Sequence, residues 1–263
     1  MNTWRSYLRI LGHMLHVDWL VLKKNVHHIT INSSIWSIVT TTCAGRIAPA
    51  MGVDSTFVAV LVGGIIASCI SMPIYPHAMT FASDLNGDRK INFLLTLPIP
   101  RWLVAARTAI AFFMNQLIIS VVAITCIRLV LWDCFNFAHV QWGAFAIMLL
   151  AANAVCAAAA LCVATFFSNS PISASTIWMR FLFPLWFFGG YQNTWPTLYR
   201  LWPKAALLGL LNPYTYLMEG IRGTVLGGRD SLPWPLCLVV LGALAIGMIA
   251  LGSYRLKKKL DAV

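Results

Sequence analysis

Trp142-Gly-Ala-Phe-Ala-Ile-Met-Leu-Leu-Ala-Ala-Asn-Ala-Val-Cys-Ala-Ala-Ala-Ala-Leu-Cys-Val-Ala-Thr-Phe-Phe167, followed at once by Ser168-Asn169-Ser170-Pro171, is the stretch that decides the fold. It lies inside a run of 46 residues, Cys134 to Met179, without a single Asp, Glu, Lys or Arg. An ionised side chain near the centre of a bilayer costs several kcal/mol, and a helix needs roughly 20 apolar residues to cross. The run is about twice that length. The Ser-Asn-Ser-Pro cluster has the chemistry of a turn, so it ends one crossing and begins another.

Four more charge-free stretches stand on either side: Asn25 to Gly45, Ser55 to Ser83, Thr108 to Ile127, and Ser231 to Tyr254. Together they predict an all-α membrane protein with six transmembrane helices, at about 29–48, 56–79, 103–131, 142–167, 172–191 and 232–253. The first is unusually polar, with Thr30, Asn32, Ser33, Ser34 and Thr40 to Thr42, and Pro49 closes it. Its polar side chains must face other helices or a cavity. Composition agrees with the count of spans. The 263 residues are 59% hydrophobic and only 10% charged, against roughly 25% in soluble domains, and mean hydropathy is +0.76. A water-soluble globule is excluded, because the polar residues cannot cover its surface.

Orientation follows from the basic residues. With six spans, Arg5, Arg9, Lys23, Lys24, Arg89, Lys90, Arg101, Arg107, Arg255 and Lys257 to Lys259 fall on one side, twelve in all, and six fall on the other. The positive-inside rule makes the richer side cytoplasmic, which puts both termini inside a cytoplasmic (inner) membrane. The net charge of +11 is spread over loops that flank spans, so it suits anionic lipid headgroups better than nucleic acid. Seven cysteines lie singly, without metal-ligand spacing, and read as packing residues. His27-His28 likewise lack a third ligand nearby.

Three segments are more than plain spans. Residues 2–24 carry Trp4, Leu8, Leu11, Leu15, Trp19 and Leu22 at spacings of three and four, interleaved with Arg5, Arg9, Asp18 and Lys23. That pattern predicts an N-terminal interfacial amphipathic helix. The cytoplasmic loop 80–101 has Asp84, Asp88, Arg89 and Lys90, then Ile91, Phe93, Leu94, Leu95 and Leu97, and stops at Pro98 and Pro100. It predicts a short helix with one apolar face, fit either to lie on lipid or to dock in a groove of a soluble subunit. The outer segment 192–231 contains charge-free Ala205 to Met218, too short to cross and too apolar for water, which predicts a re-entrant or interfacial helix before the last span. Glu219, the only glutamate, and Arg222 follow at i, i+3 and can pair; snorkelling to the headgroups accounts for them equally well or better.

Two of these runs carry a family resemblance. Leu94-Leu95-Thr96-Leu97-Pro98-Ile99-Pro100-Arg101 resembles the first cytoplasmic loop of ABC-2 type transporter permeases, the transmembrane subunits of ABC exporters. Asn212-Pro213-Tyr214-Thr215-Tyr216-Leu217-Met218-Glu219-Gly220-Ile221-Arg222-Gly223 is similar to that family's Asn-Pro-x-Thr-Tyr-x-x-Glu-x-x-Arg run before the last span. Where the family usually has Gly-Thr this chain has Arg89-Lys90, and its acidic residues are Asp84 and Asp88 in place of glutamates. The resemblance covers the whole chain, 1–263, as one ABC-2 type transmembrane domain. It implies a permease, paired with a second copy or a paralogue, that exports a lipid, a glycolipid or polysaccharide, or a hydrophobic drug.

The expected division of labour is specific. No G-x-x-x-x-G-K-[ST] occurs, so the chain is not expected to be an enzyme or to bind a cofactor directly; ATP and Mg would act through a separate ATPase subunit. Asp84, Asp88, Arg89, Lys90, Ile91, Leu94, Leu95, Pro98 and Arg101 are the candidate coupling residues toward that subunit. Arg180, Asn212, Pro213, Glu219 and Arg222 are the candidates for the transport path or its gate. Arg180 falls near mid-membrane if the fifth span is 172–191, and a shift of that span would bring it to the cytoplasmic interface. Aromatic residues from Phe181 to Tyr216 suit an interfacial belt, or stacking on a sugar or a flat drug. An intramembrane enzyme is disfavoured by the lack of a catalytic motif. An ion-coupled secondary transporter is the alternative, though no internal repeat is visible.

Overall fold

The computed structural model describes residues 3–86, 99–133, 135–167, 177–228 and 230–260. Every regular element among them is helical. Four helical stretches are long and apolar enough to cross a bilayer: Phe57–Asp84, Trp102–Val130, Trp142–Phe166 and Trp234–Arg255. The chain thus has the character of a multi-pass membrane protein.

Helix α1, Thr3–Thr42, is continuous, and a π-turn, Cys43–Ile47, and a short turn, Ala48–Ala50, extend it. A separate interfacial helix over 2–24 and a span from 29 were expected; the chain does not break between them. The reason is local: no proline or glycine occurs between Gly12 and Gly45, so the charges of Lys23 and Lys24 change the helix surface without ending it. At 1.5 Å per residue its 40 residues extend about 60 Å, twice a hydrocarbon core.

Helices α2, Ser55–Ser71, and α3, Ile74–Asn86, form one bent span. The bend falls at Met72-Pro73, where proline has no N–H to donate. Helix α4, Arg101–Val130, starts after Pro100, and α5, Trp142–Phe167, matches the span read from its sequence. Beyond it, residues 177–188 run through a π-turn, Trp178–Leu182, into α6, Phe183–Phe188, and stop at Gly189-Gly190. Three short helices follow: α7, Trp195–Leu201, α8, Pro203–Gly209, and α9, Pro213–Val225. The last helix, α10, is Trp234–Leu260.

Helix α10 packs along α5, α1 along α4, and α3 against α5, while α9 is wedged between α2, α5 and α10. The main core joins Ile65, Ile70, Ile127, Met148, Met218 and Leu241, all almost fully buried. Polar bonds supplement this packing. Ser120 Oγ donates to Asn153 Oδ1 at 2.9 Å between α4 and α5, and Trp186 Nε1 donates to Ser68 Oγ at 2.8 Å. Such bonds hold helices together where lipid gives no hydrophobic drive between them.

Helices α1 and α4 run in the same direction and are clamped at both ends. At one end Arg107 Nε and Nη2 donate to both carboxylate oxygens of Asp18, at 2.7 and 2.5 Å. At the other, Arg46 donates from Nε and Nη2 to Val130 O, at 3.0 and 2.8 Å, and also to the Asp133 carboxylate. Between them Ser33 Oγ donates to Ile119 O at 3.3 Å. Asp18 and Arg46 are 28 positions apart, about 42 Å along a helix, which equals the roughly 40–45 Å of a bilayer with its headgroups.

Candidate functional site

Helix α9 carries the run from Asn212 to Arg222, and its sequence explains how it starts. Asn212 Oδ1 accepts from Tyr214 N–H at 3.0 Å, and Pro213 takes the first helical position, where no N–H is needed. Asn212 Nδ2 donates to Leu185 O at 2.6 Å, tying the cap to α6. Thr215 Oγ1 donates to Gly209 O at 2.7 Å and Tyr216 OH to Leu210 O at 2.8 Å, so two further side chains close the turn from α8. Asn212→Ala should lose about 1–2 kcal/mol of stability, as capping residues do. Asn212→Asp keeps the acceptor but not the Nδ2 donor, so comparing the thermal midpoints of the two variants separates the cap from the α6 tie.

One turn later, Glu219 and Arg222 are both fully buried. Arg222 Nη1 donates to Glu219 Oε1 at 2.5 Å and to Asn193 O at 3.2 Å, Nη2 donates to Gly190 O at 2.7 Å, and Nε to Val60 O at 3.2 Å. Glu219 Oε2 accepts from Leu232 N–H at 2.9 Å. One ion pair thus joins α9 to α2, to the turn after α6, and to the entry of α10. Snorkelling does not describe it, because neither charged end reaches the surface.

Two glycines make the knot possible. A Cβ on Gly64 would stand 2.3 Å from Tyr191 O, so only glycine lets α2 approach the turn that presents Gly190 O and Asn193 O. Gly190 itself has φ +95°, a left-handed conformation that turns its carbonyl toward the guanidinium.

The remaining sequence candidates are dispersed. Arg180 sits in the π-turn and is exposed on the surface of the single chain. Asp84 is half-buried in α3. Asp88, Arg89, Lys90, Ile91, Leu94, Leu95 and Pro98 lie outside the described residues, and Arg101 is described only as the first residue of α4. Among the described residues no group of three His, Cys, Asp or Glu could hold a metal.

A feature missed in the sequence is a cleft between α1, α3 and α4. Two cavities, of about 480 and about 570 Å³, share Ile29, His77, Thr80 and Asn115 and so form one passage. His77 is stacked on Phe112, centroids 4.7 Å apart and planes 9° from parallel. Its Nε2 and the Asn115 Oδ1 are buried without a hydrogen-bond partner. The adjacent polar residues Asn115 and Gln116 in the middle of an otherwise apolar span were the available signal.

In comparisons with protein-family models, curated proteins and solved structures, nothing matches this chain.

Proposed function

We propose that the chain is the permease subunit of an ATP-driven exporter of the ABC-2 type. In this reading it has six spans, both termini in the cytoplasm, and forms the translocation path with a second copy or a paralogue in a cytoplasmic membrane. The observation that carries the reading is the buried Glu219–Arg222 pair at the end of the Asn-Pro-x-Thr-Tyr-x-x-Glu-x-x-Arg run. Every polar side chain of that run has a bonded role in one compact unit, which gives a physical reason for its spacing. The short helices α7 to α9 then form the outer re-entrant segment, and Asp18–Arg107 and Arg46–Asp133 mark the two headgroup levels.

Coupling is assigned to the chain between α3 and α4. A subunit that hydrolyses ATP and grips Asp84 to Pro98 pulls on the ends of two spans at once, since α3 ends at Asn86 and α4 begins at Arg101. Ile91, Leu94 and Leu95 supply the apolar contact, and Asp88, Arg89, Lys90 and Arg101 set the register. Closure of the ATPase pair then rocks the two permease halves about their interface. Arg180, exposed on one protomer, belongs in this scheme to the surface that faces the path or the second permease. The exported class is a lipid, a glycolipid or polysaccharide, or a hydrophobic drug. An ion-coupled transporter finds less to build on, because Glu219 is already committed to Arg222 and to Leu232 N–H.

The test is to purify the tagged chain gently from its native membrane and identify its companions by mass spectrometry. A subunit with a phosphate-binding loop in near-equal amount is expected, and a stable chain without one would sink the proposal. Leu94→Asp with Leu95→Asp is expected to leave membrane insertion intact while the ATPase subunit is lost from the purified complex. Retention at the wild-type level would remove this segment from the coupling.

A further inference from the structure

We propose that the cleft between α1, α3 and α4 is a binding site for a neutral amphiphile that carries a hydroxyl group. This site lies within one chain and does not depend on the export reading. The cleft is open at its side, where Asn32 and Thr80 are exposed, so a ligand can enter without any helix moving. Each of its two cavities, at about 480 and about 570 Å³, falls within the roughly 300–1,000 Å³ usual for small-molecule sites.

The ligand chemistry follows from the atoms left unpaired. Asn115 Oδ1 can only accept, and needs a donor. His77 Nε2 either donates or accepts according to tautomer, and its ring is held by stacking on Phe112. A hydroxyl is the smallest neutral group on an organic chain that can donate to the first and either accept from or donate to the second. Apolar walls from Ile29, Trp36, Met72 and Ile119 take the attached chain.

Charged headgroups fit less well. At the C-terminal end of α3 the cleft is bordered by Asp84, and Arg107, beside it, is already bound to both oxygens of Asp18. Among the described residues that line the cleft there is no Lys or Arg to meet a carboxylate or phosphate. An ammonium would satisfy Asn115, but in the part of the cleft walled by Ile29, Trp36, Met72 and Ile119 it must bury its charge, which costs more than burying a hydroxyl.

The experiment uses the full chain, purified with its bound subunits into phosphatidylcholine nanodiscs, and photolabelling with 3-azioctanol. Expected are saturable adducts on residues 29–36 and 72–80, competed by 1-octanol and not by octane. Competition by dioctanoylglycerol at lower concentration than by 1-octanol identifies a membrane lipid as the occupant; the reverse order identifies a free alcohol. His77→Phe keeps the stacked ring and removes Nε2; together with Asn115→Leu it should weaken labelling about tenfold, the effect of one or two lost hydrogen bonds. Thr80→Trp fills the mouth from an exposed position without touching the core and should abolish the adducts, which covers the case that the inner variants fail to fold. Non-saturable label spread evenly over lipid-facing helices overturns the site. So does an absence of cleft label, whether because only water occupies the space or because a neighbouring subunit closes it.

Discussion

Glu219→Ala is expected to destabilise the chain by about 3–5 kcal/mol, because it leaves the Arg222 guanidinium buried with no counter-charge. The three carbonyls of Val60, Gly190 and Asn193 remain as acceptors, but none carries the negative charge that offsets desolvation. The Leu232 N–H also loses its acceptor, which loosens the entry to α10. The consequence is a loss of the folded, monodisperse fraction in mild detergent and a large fall in thermal midpoint. Removing both charges is a different matter. Replacing a buried pair by apolar groups of similar size is often neutral, so Glu219→Leu with Arg222→Met should recover most of what Glu219→Ala loses, less the guanidinium's three bonds to backbone carbonyls. If the single variant unfolds no earlier than wild type, the pair is not holding these elements together.

Gly64→Val is expected to rank next. Its Cβ would meet a backbone oxygen, not the end of a flexible side chain, so α2 and the 189–193 turn must separate. Overpacking of this kind costs about 1–3 kcal/mol, and the shift also draws Gly190 O and Asn193 O away from the guanidinium, where bonds to a charged donor contribute about 1.5–3 kcal/mol each. The two losses share a cause, which a double-mutant cycle detects. In the Glu219→Leu, Arg222→Met background the added effect of Gly64→Val should be smaller than in wild type by 1 kcal/mol or more, since there is no longer a guanidinium to lose. Strict additivity would show that the close approach at Gly64 serves packing alone.

The sequence was most legible where a single physical variable decides the outcome. In α5 the absence of charge sets one long helix, and the described helix begins at Trp142 as read, while Ser168-Asn169-Ser170-Pro171 lies outside the described residues. Asn212-Pro213 read only as a break in the apolar run 205–218; the structure makes it the cap that starts α9. Legibility failed where charge was taken for a boundary. Lys23 and Lys24 change the surface of α1, yet a helix ends only when its backbone is denied hydrogen bonds, and no residue between Gly12 and Gly45 does that. Glu219 and Arg222 were recognised as a pair, but their depth was not readable, because it depends on carbonyls from Val60, Gly190 and Asn193 that carry no sequence signal. His77 and Asn115 were passed over for a related reason: they lie on different helices, and only the fold places both on one cleft.

The clamp between α1 and α4 turns these two helices into a strut of fixed length. With an arginine–carboxylate pair at each end, neither helix can slide past the other without breaking both pairs together. With α1 as the first span of the proposed six, such a strut does not shorten in a thin bilayer; it leans, as membrane helices do when their apolar length exceeds that of the lipid. Leaning tilts two walls of the cleft, α1 and α4, against the third, α3, which packs on α5. Membrane thickness would then act on this chain through the width of the cleft.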